Sequence, residues 1–576
     1  MSTSSLVLAL DLGNTSGSCA VCRGGSVDVI PNEQGSRMTP AVISFTEVET
    51  LLGEPARGQI ARNAANTIVD GLRLLGRNFD DADFQEEMSK WRFRVSRGKD
   101  GAAPQVDVSV KGEAKSFAPP RLLSHLFAQL RGDAEANTGE NVKEAVLVVP
   151  AHFSEVQRAA LKESAQIGGV RVKMLLSSPL CAALLYAHTA ASPEPPPTLE
   201  VVAAAPRVQQ LLVVDVGGSG IEAAVVERTI SATAKGAEGG GGGEAGGPGQ
   251  SVEELSVRSS LHTRGACANS VDKSLQQHVL KEIRRRQRAD LTENSRACQR
   301  LLATCQAAKQ SLTAAAQAQV TVEADGVDYF STVSRATLEE LTAPVATTAS
   351  TLAAQAITAA GLDSPSQIEA LLLCGGGCRM SRVQAALTSL CPNASIHFGG
   401  ISEEVPCRGA AIAGAMLKAV PLSDLPNGGG GGNGGGEVSS LLVTRPRLPH
   451  ALGIRTADGT VLTMVEAYAP IPLTRTLKFG GTSSTSTTSF LLSLVELPPP
   501  SAAVDVSDAA PAPAPAADEA MRAVASLAVR EVPEGAEALH VVLKVEADGS
   551  LELHCDAVVK AEGGESSTSR LASVKS

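Results

Sequence analysis

Three apolar runs in this chain end the same way. Leu6-Val7-Leu8-Ala9-Leu10 leads into Asp11-Leu12-Gly13, Leu211-Leu212-Val213-Val214 into Asp215-Val216-Gly217-Gly218, and Leu371-Leu372-Leu373-Cys374 into Gly375-Gly376-Gly377. Each unbroken run predicts a buried strand closed by a glycine turn, and the first two carry an aspartate at the strand end. A further strand is expected at Ala145-Val146-Leu147-Val148-Val149, ended by Pro150, with helical spacing from Glu155 to Ala165. Strand, helix and strand alternate again through the second half, so the chain reads as α/β with two similar lobes.

The pattern changes after residue 436. Short alternating segments flank Ala457-Asp458-Gly459 and Ala547-Asp548-Gly549. Asp-Gly between apolar alternations marks a hairpin. The expected division is a first lobe at 1–190, a second at 205–418, a Gly-rich tract and linker at 427–446, a small all-β sandwich domain at 447–558 and a polar tail at 559–576. The Gly-rich tracts 239–247 and 428–436 and the Pro/Ala-rich stretch 498–517 lack the side chains to build a core, and read as flexible insertions.

With 576 residues, 43% of them hydrophobic, the chain has material for several cores. A net charge of −11 and 3% aromatics argue against a sequence-specific nucleic-acid reader. The run Arg284-Arg285-Arg286-Gln287-Arg288 is the exception, and reads as a solvated helix face or as a contact to RNA or an acidic partner. Eleven cysteines are scattered through apolar segments, which fits reduced thiols in the cytosol. Cys19 and Cys22 have CxxC spacing but fall in an expected strand, where i and i+3 face opposite ways. The first strand begins close to Met1, leaving no room for a signal peptide, and no apolar run approaches the ~20 residues that span a bilayer. A cytoplasmic protein is expected.

Glycine lets backbone amides approach an anion closely, and a row of such amides cradles phosphate. An aspartate beside each turn suits a hydrated magnesium ion, which needs few carboxylates. Two matching lobes, each giving one aspartate and one turn, would clamp a nucleoside triphosphate between them.

The motifs Leu10-Asp11-Leu12-Gly13-Asn14-Thr15, Asn32-Glu33-Gln34-Gly35-Ser36-Arg37-Met38-Thr39-Pro40, Leu75-Gly76-Arg77-Asn78-Phe79-Asp80, Val149-Pro150-Ala151-His152-Phe153, Asp215-Val216-Gly217-Gly218 and Leu452-Gly453-Ile454-Arg455-Thr456-Ala457-Asp458-Gly459 together resemble the heat-shock protein 70 family over nearly the whole chain. The resemblance implies a two-lobed actin-like ATPase fold, a linker and a β-sandwich for peptide. The residues after 558 are too few for the family's helical lid, which is expected to be absent. The resemblance puts ATP on Asp11, Gly13, Asn14 and Thr15, on Asp215, Gly217, Gly218 and Ser219, on Lys309 and Thr313, and on Gly375, Gly376, Gly377 and Arg379. Asp11 and Asp215 would reach Mg2+ through water.

The hydrolytic positions depart from the family. Leu72 stands where the family has a lysine, Ser178 where it has a glutamate, Gly220 where it has a threonine and Asn14 where it has another threonine. Leucine neither donates a hydrogen bond nor carries charge. Phosphoryl transfer rests on positioning and electrostatics, so very slow turnover is expected and no residue is assigned a catalytic role. Gln306 and Gln310 replace a glutamate and an arginine on the adenine side.

A weak site and a lidless β-domain look most like the family's atypical Ssz-type branch. That resemblance implies a stable pairing with a zuotin-type J-domain protein, serving nascent chains at the ribosome. The alternative is an ATP-hydrolysing, peptide-binding chaperone, for which Pro150 and Arg158 match family positions that couple the nucleotide to the linker. A small-molecule kinase of the same fold is disfavoured by the β-domain after Leu441-Leu442-Val443.

Overall fold

The computed structural model describes residues 6–98, 101, 103–190, 206–232, 251–324, 326–419, 440–444, 450–455, 461–467, 469, 473–480, 490–497, 522–529, 536–545, 551–560 and 566–575. The tracts 239–247, 428–436 and 498–517 lie outside the described residues. The described chain forms two units, the second taking in residues 152–156 and 256–258 as well as those from 443 on.

The first unit holds two sheets with the same strand order. In the first lobe, β1 (Val7–Leu12), β2 (Ser16–Arg23), β3 (Ser26–Ile30), β4 (Glu144–Val149) and β5 (Arg171–Ser177) lie in the order β5-β4-β1-β2-β3. β1 pairs parallel with β4 and antiparallel with β2, so it is covered on both sides. Its apolar run is buried throughout, as a central strand requires. In the second lobe, β6 (Arg207–Val216), β7 (Ile221–Ala232), β8 (Ser251–Thr263), β9 (Ala370–Cys374) and β10 (Ser395–His397) repeat the order as β10-β9-β6-β7-β8. Asp11 and Asp215 therefore occupy equivalent places at the ends of the two central strands.

Helices cover these sheets. α1 (Pro119–Thr138) starts with proline at its first turn and ends at Gly139, whose φ of 69° caps it. Leu122, Leu123, Leu126, Phe127 and Leu130 form its buried stripe. α2 (Glu155–Ile167) follows the expected helical spacing. α3 (Ser178–Thr189) is buried along most of its length and touches strands of both sheets. In the second lobe come α4 (Ala268–Gln287), α5 (Ser295–Leu312), α6 (Arg335–Ala359) and α7 (Ser381–Leu390).

One element departs from the expected division. α8 (Val405–Ala419) falls within the span expected for the second lobe, 205–418, but packs on β1, β2 and α3. The Cys407 thiol donates to the Ala9 carbonyl at 3.9 Å. A mostly apolar helix with Gly409 and Gly414 can approach two backbones closely, and chain order does not reveal which sheet it will choose. Cys19 is buried and Cys22 partly exposed, on opposite faces of β2 as expected. The basic run ends α4 as a solvated face, with Arg284 paired to Asp290 and both Arg285 and Arg286 paired to Glu282.

The second unit is a sandwich of two sheets. β12 (Ala451–Arg455), β13 (Val461–Val465), β15 (Phe490–Leu497) and β16 (Arg522–Val529) order as β13-β12-β15-β16; β11 is the linker strand Ser440–Thr444. β14 (Leu473–Gly480), β17 (Ala536–Val545), β18 (Leu551–Lys560) and β19 (Ser566–Lys575) order as β14-β17-β18-β19. The strands on either side of both expected Asp-Gly turns pair antiparallel, Arg455 opposite Val461 and Val545 opposite Leu551, while the turns lie outside the described residues. The core between the sheets includes Ile454, Leu494, Val541, Leu543 and Leu553.

The expected polar tail is corrected here. Residues 566–575 form β19, paired along β18, with Leu571, Ala572 and Val574 against the core. An edge strand needs only one modestly apolar face, which its serines disguise.

Candidate functional site

The first two glycine turns are built alike. The Gly13 amide donates to the Ser16 carbonyl at 2.9 Å, and the Gly217 amide donates to the Gly220 carbonyl at 2.9 Å. Each bond folds the chain sharply between the central strand and its antiparallel partner. The amides of Ala268 and Asn269, at the start of α4, donate to the Gly217 and Gly218 carbonyls at 3.0 and 3.1 Å. The second turn is thus stitched to the start of α4. The turns meet across the lobes, with Thr15 against Gly218.

The third turn closes the base. Gly375 has φ 74°, its amide donates to the Ser402 carbonyl at 3.0 Å, and a Cβ there would run into the Asp215 carboxylate. A Cβ on Gly377 would run into the Val216 side chain. Only glycine fits between this turn and β6. Gly376 lies beside Glu403, which pairs with Arg379 at 2.8 Å.

Burial, then the charge of Asp215, pushes the Asp11 carboxyl from 3.8 up to about 7. Burial, then Glu403, pushes Asp215 up to about 6. The Asn14 side-chain oxygen in the first turn is buried without a hydrogen-bond partner. Two carboxylates near enough for one to raise the other, beside glycine turns, fit a hydrated divalent cation and its phosphates. The residues present therefore fit ATP with Mg2+.

The remaining predicted residues divide. Thr313 and Arg379 line one shallow open pocket with Leu312, Arg335 and Met380. The Thr313 hydroxyl donates to the Gln310 carbonyl at 2.7 Å. Lys309 is engaged by the protein, donating to the Ala268 carbonyl at 2.9 Å and pairing with Asp272 at 2.8 Å. Since the Ala268 amide holds Gly217, Lys309 braces the second turn from behind. Ser219 faces the first lobe, where its hydroxyl donates to Asp70 at 3.0 Å.

The departures are built into the packing. Leu72 is 3% exposed, in the tight 3-10 turn Gly71–Leu74. Ser178 is buried at the start of α3. A Cβ on Gly220 would lie 2.9 Å from the Thr263 carbonyl oxygen, so the end of β8 fills the space a side chain would need.

Sequence reasoning missed Glu222. Its carboxylate accepts from the Ala151 amide at 3.1 Å and the Ser260 hydroxyl at 2.9 Å, and burial pushes it up to about 7. Arg158 donates to the Ala151 carbonyl at 3.1 Å. Ala151 is thereby held from both sides, by Arg158 in the first lobe and Glu222 in the second. A lone acid inside the apolar strand Ile221-Glu222-Ala223-Ala224-Val225 was the available signal.

A family model described as Hsp70 protein matches residues 7–241 and 255–569. Heat shock cognate 70 kDa protein 3 of Dictyostelium discoideum is 28% identical over 474 residues, covering 82% of this chain and 68% of the relative. Heat shock 70 kDa protein of Emericella nidulans is 29% identical over 479 residues, covering 82% and 66%. A ribosome-associated molecular chaperone of Saccharomyces cerevisiae is 30% identical over 419 residues, covering 72% and 62%. The chain spans about two-thirds of the length of these relatives.

Proposed function

This chain belongs to the heat-shock protein 70 family, and from that premise we propose that it is an atypical chaperone subunit that binds ATP with Mg2+, hydrolyses it little or not at all, and scaffolds a J-domain partner. Asp11 and Asp215 would hold the hydrated cation, the turns at Gly13, Gly217 and Gly375 the phosphates, and Thr313 and Arg379 the adenosine side. Bound Mg2+ would supply the charge that the two part-buried carboxylates call for. The observation that carries the reading is that this acid pair persists beside intact glycine turns while Leu72, Ser178 and Gly220 stand at the hydrolytic positions. Loss of one well-placed donor costs roughly 10²–10³ in rate.

The partner reading follows the Ssz-type branch, called heat-shock protein 70 member 14 in animals. It places the chain in the cytoplasm with a zuotin-type J-domain protein, serving nascent chains at the ribosome. The similarity to a ribosome-associated chaperone supports that setting. A cycling, peptide-binding chaperone is the second reading, favoured by the bonds that join Arg158, Ala151 and Glu222 between the lobes.

Calorimetry with Mg·ATP and single-turnover hydrolysis separate the two. Binding with negligible turnover, and co-purification with a J-domain protein on ribosome sedimentation, is expected. Turnover at an ordinary chaperone rate would overturn the first reading, and absence of nucleotide binding would overturn both.

A further inference from the structure

The second phosphate turn is bonded to the first lobe by the protein itself. Ser219, in that turn, donates its hydroxyl to Asp70 at 3.0 Å and accepts from Arg73 at its carbonyl at 2.6 Å. Arg73 also reaches Glu87 at 3.4 Å. Glu87 sits on the short first-lobe helix Ala82–Met88. The same carboxylate oxygen accepts from Arg264 of the second lobe at 2.8 Å. Arg264 follows directly on the end of β8, whose Thr263 carbonyl borders Gly220 of the same turn. Two separate points of the second lobe, Ser219 and Arg264, are therefore tied to one first-lobe corner.

The corner is enclosed and cation-rich. The Glu87 side chain is 9% exposed and that of Arg73 19%. Burial and the charges of Arg264 and Arg73 push the neighbouring His262 down to about 3, so it adds no charge. A carboxylate shared by two guanidinium groups in such a place is screened little by salt. Removing one partner of a buried pair strands the other, which makes the set cooperative. Asp70 accepts Ser219 from a left-handed backbone, φ 54°, a conformation a non-glycine residue keeps only where its surroundings hold it.

We infer that Arg264, Glu87, Arg73 and Asp70 form a clasp that holds the second phosphate turn against the first lobe, so that the lobes close without nucleotide. Every bond of the clasp runs between protein atoms. Arg73 and Arg264 are positioning residues, acting on the turn and not on phosphate. The clasp goes beyond the proposed function, since it describes the nucleotide-free chain and stands whether or not ATP is hydrolysed.

The test uses the full chain stripped of nucleotide with a chelator. Fluorophores at Val48 in the first lobe and Val327 in the second, both exposed, report lobe separation by energy transfer. The stripped wild type should give the same transfer as the chain with Mg·ATP. Arg264→Gln and Glu87→Gln should each lose transfer when stripped, while Arg264→Lys should retain most of it. Hydrogen exchange at 216–220 should quicken in the two Gln variants by about tenfold, the size coupling within one network commonly takes. Should a Gln variant fail to fold, Arg264→Lys and exchange in the wild type still decide. A stripped wild type that opens, or exchanges freely at 216–220, overturns the clasp, as do Gln variants that stay closed. If ATP does not bind at all, the stripped measurements still read the clasp alone.

Discussion

Thr15 lies directly against Gly218: a Cβ added to Gly218 would come within 2.5 Å of the Thr15 hydroxyl oxygen and 2.7 Å of its methyl carbon. The first two glycine turns, one from each lobe, touch through this pair. Thr15 is β-branched and stiff at χ1, so it cannot turn away freely. Gly218→Ala should force the turns apart and abolish the rise in melting temperature caused by Mg·ATP. Adding Thr15→Ala, which removes both offending atoms, should restore part of it. A Gly218→Ala chain with an unchanged ligand shift would show that the turns separate in the bound state.

The cleft acids give a pH dependence of defined sign. Asp11, Asp215 and Glu222 have carboxyls raised to about 7, 6 and 7 by burial. A raised carboxyl favours the fold most when protonated, so its contribution is complete below the ordinary values of 3.8 and 4.5 and is lost as pH rises through 6 to 7. Asp11→Asn should therefore stabilise the stripped protein at about pH 8, on the order of 1–4 kcal/mol, with the difference gone near about pH 4. Affinity for Mg·ATP should move the opposite way and strengthen through the same window. Thermal melts across pH check the first, and titration calorimetry the second.

Much of this architecture was legible because apolar runs that stop abruptly at Asp and Gly leave few alternatives. Leu8 and Leu10 are buried beneath Asp11, and Leu212 and Val214 beneath Asp215, as the runs required. What stayed hidden depends on long-range approach. Nothing local to Ser219 announces a bond to Asp70, 149 residues away. α8 could not be placed, since an evenly apolar helix carries no sign of which sheet it will cover. Glu222 passed unnoticed because strand alternation reads an isolated acid as outward-facing, whereas its partners Ala151 and Ser260 come from other elements. β19 was missed since Ser566–Lys575 is polar by composition and becomes a strand through pairing alone.

Restoring the missing lysine should not restore turnover. Leu72 is 3% exposed and its neighbour Gly71 would place a Cβ 2.7 Å from Leu123. A lysine at 72 must either bury its ammonium or break the turn to reach the cleft, and both cost stability. Leu72→Lys is expected to lower the melting temperature and leave single-turnover hydrolysis near the wild-type rate. Adding Gly220→Thr should worsen folding, because its Cβ would press on the Thr263 carbonyl. A rate gain of about 10² or more from Leu72→Lys alone would show that the site lacks only that donor.

Three helical glycines make a graded test of how the lobes are joined. Alanine outranks glycine in helix propensity by about 1 kcal/mol, so Gly→Ala in open space should stabilise. Gly132 in α1 has nothing within 4 Å of an added Cβ, and Gly132→Ala should gain about 0.5–1 kcal/mol. Gly414 in α8 would place a Cβ 3.2 Å from a Val7 methyl and 3.4 Å from the Val7 carbonyl oxygen. The neighbour can yield slightly, so Gly414→Ala should fall within about 1 kcal/mol of neutral. Gly409, in the same helix, is different. Its Cβ would overlap the carbonyl of Cys181 in α3 and lie 2.9 Å from the Cys181 Cα. Those atoms are backbone and cannot rotate away. α3 touches both sheets and α8 covers the first, so their crossing carries the joint between the lobes. Gly409→Ala should cost at least about 3 kcal/mol, beyond the usual range for a single substitution. Urea unfolding of the three variants, read with and without Mg·ATP, measures the series. Equal effects at Gly409 and Gly414 would mean that α8 can shift along the first sheet, and that its contact with α3 does not fix the lobes.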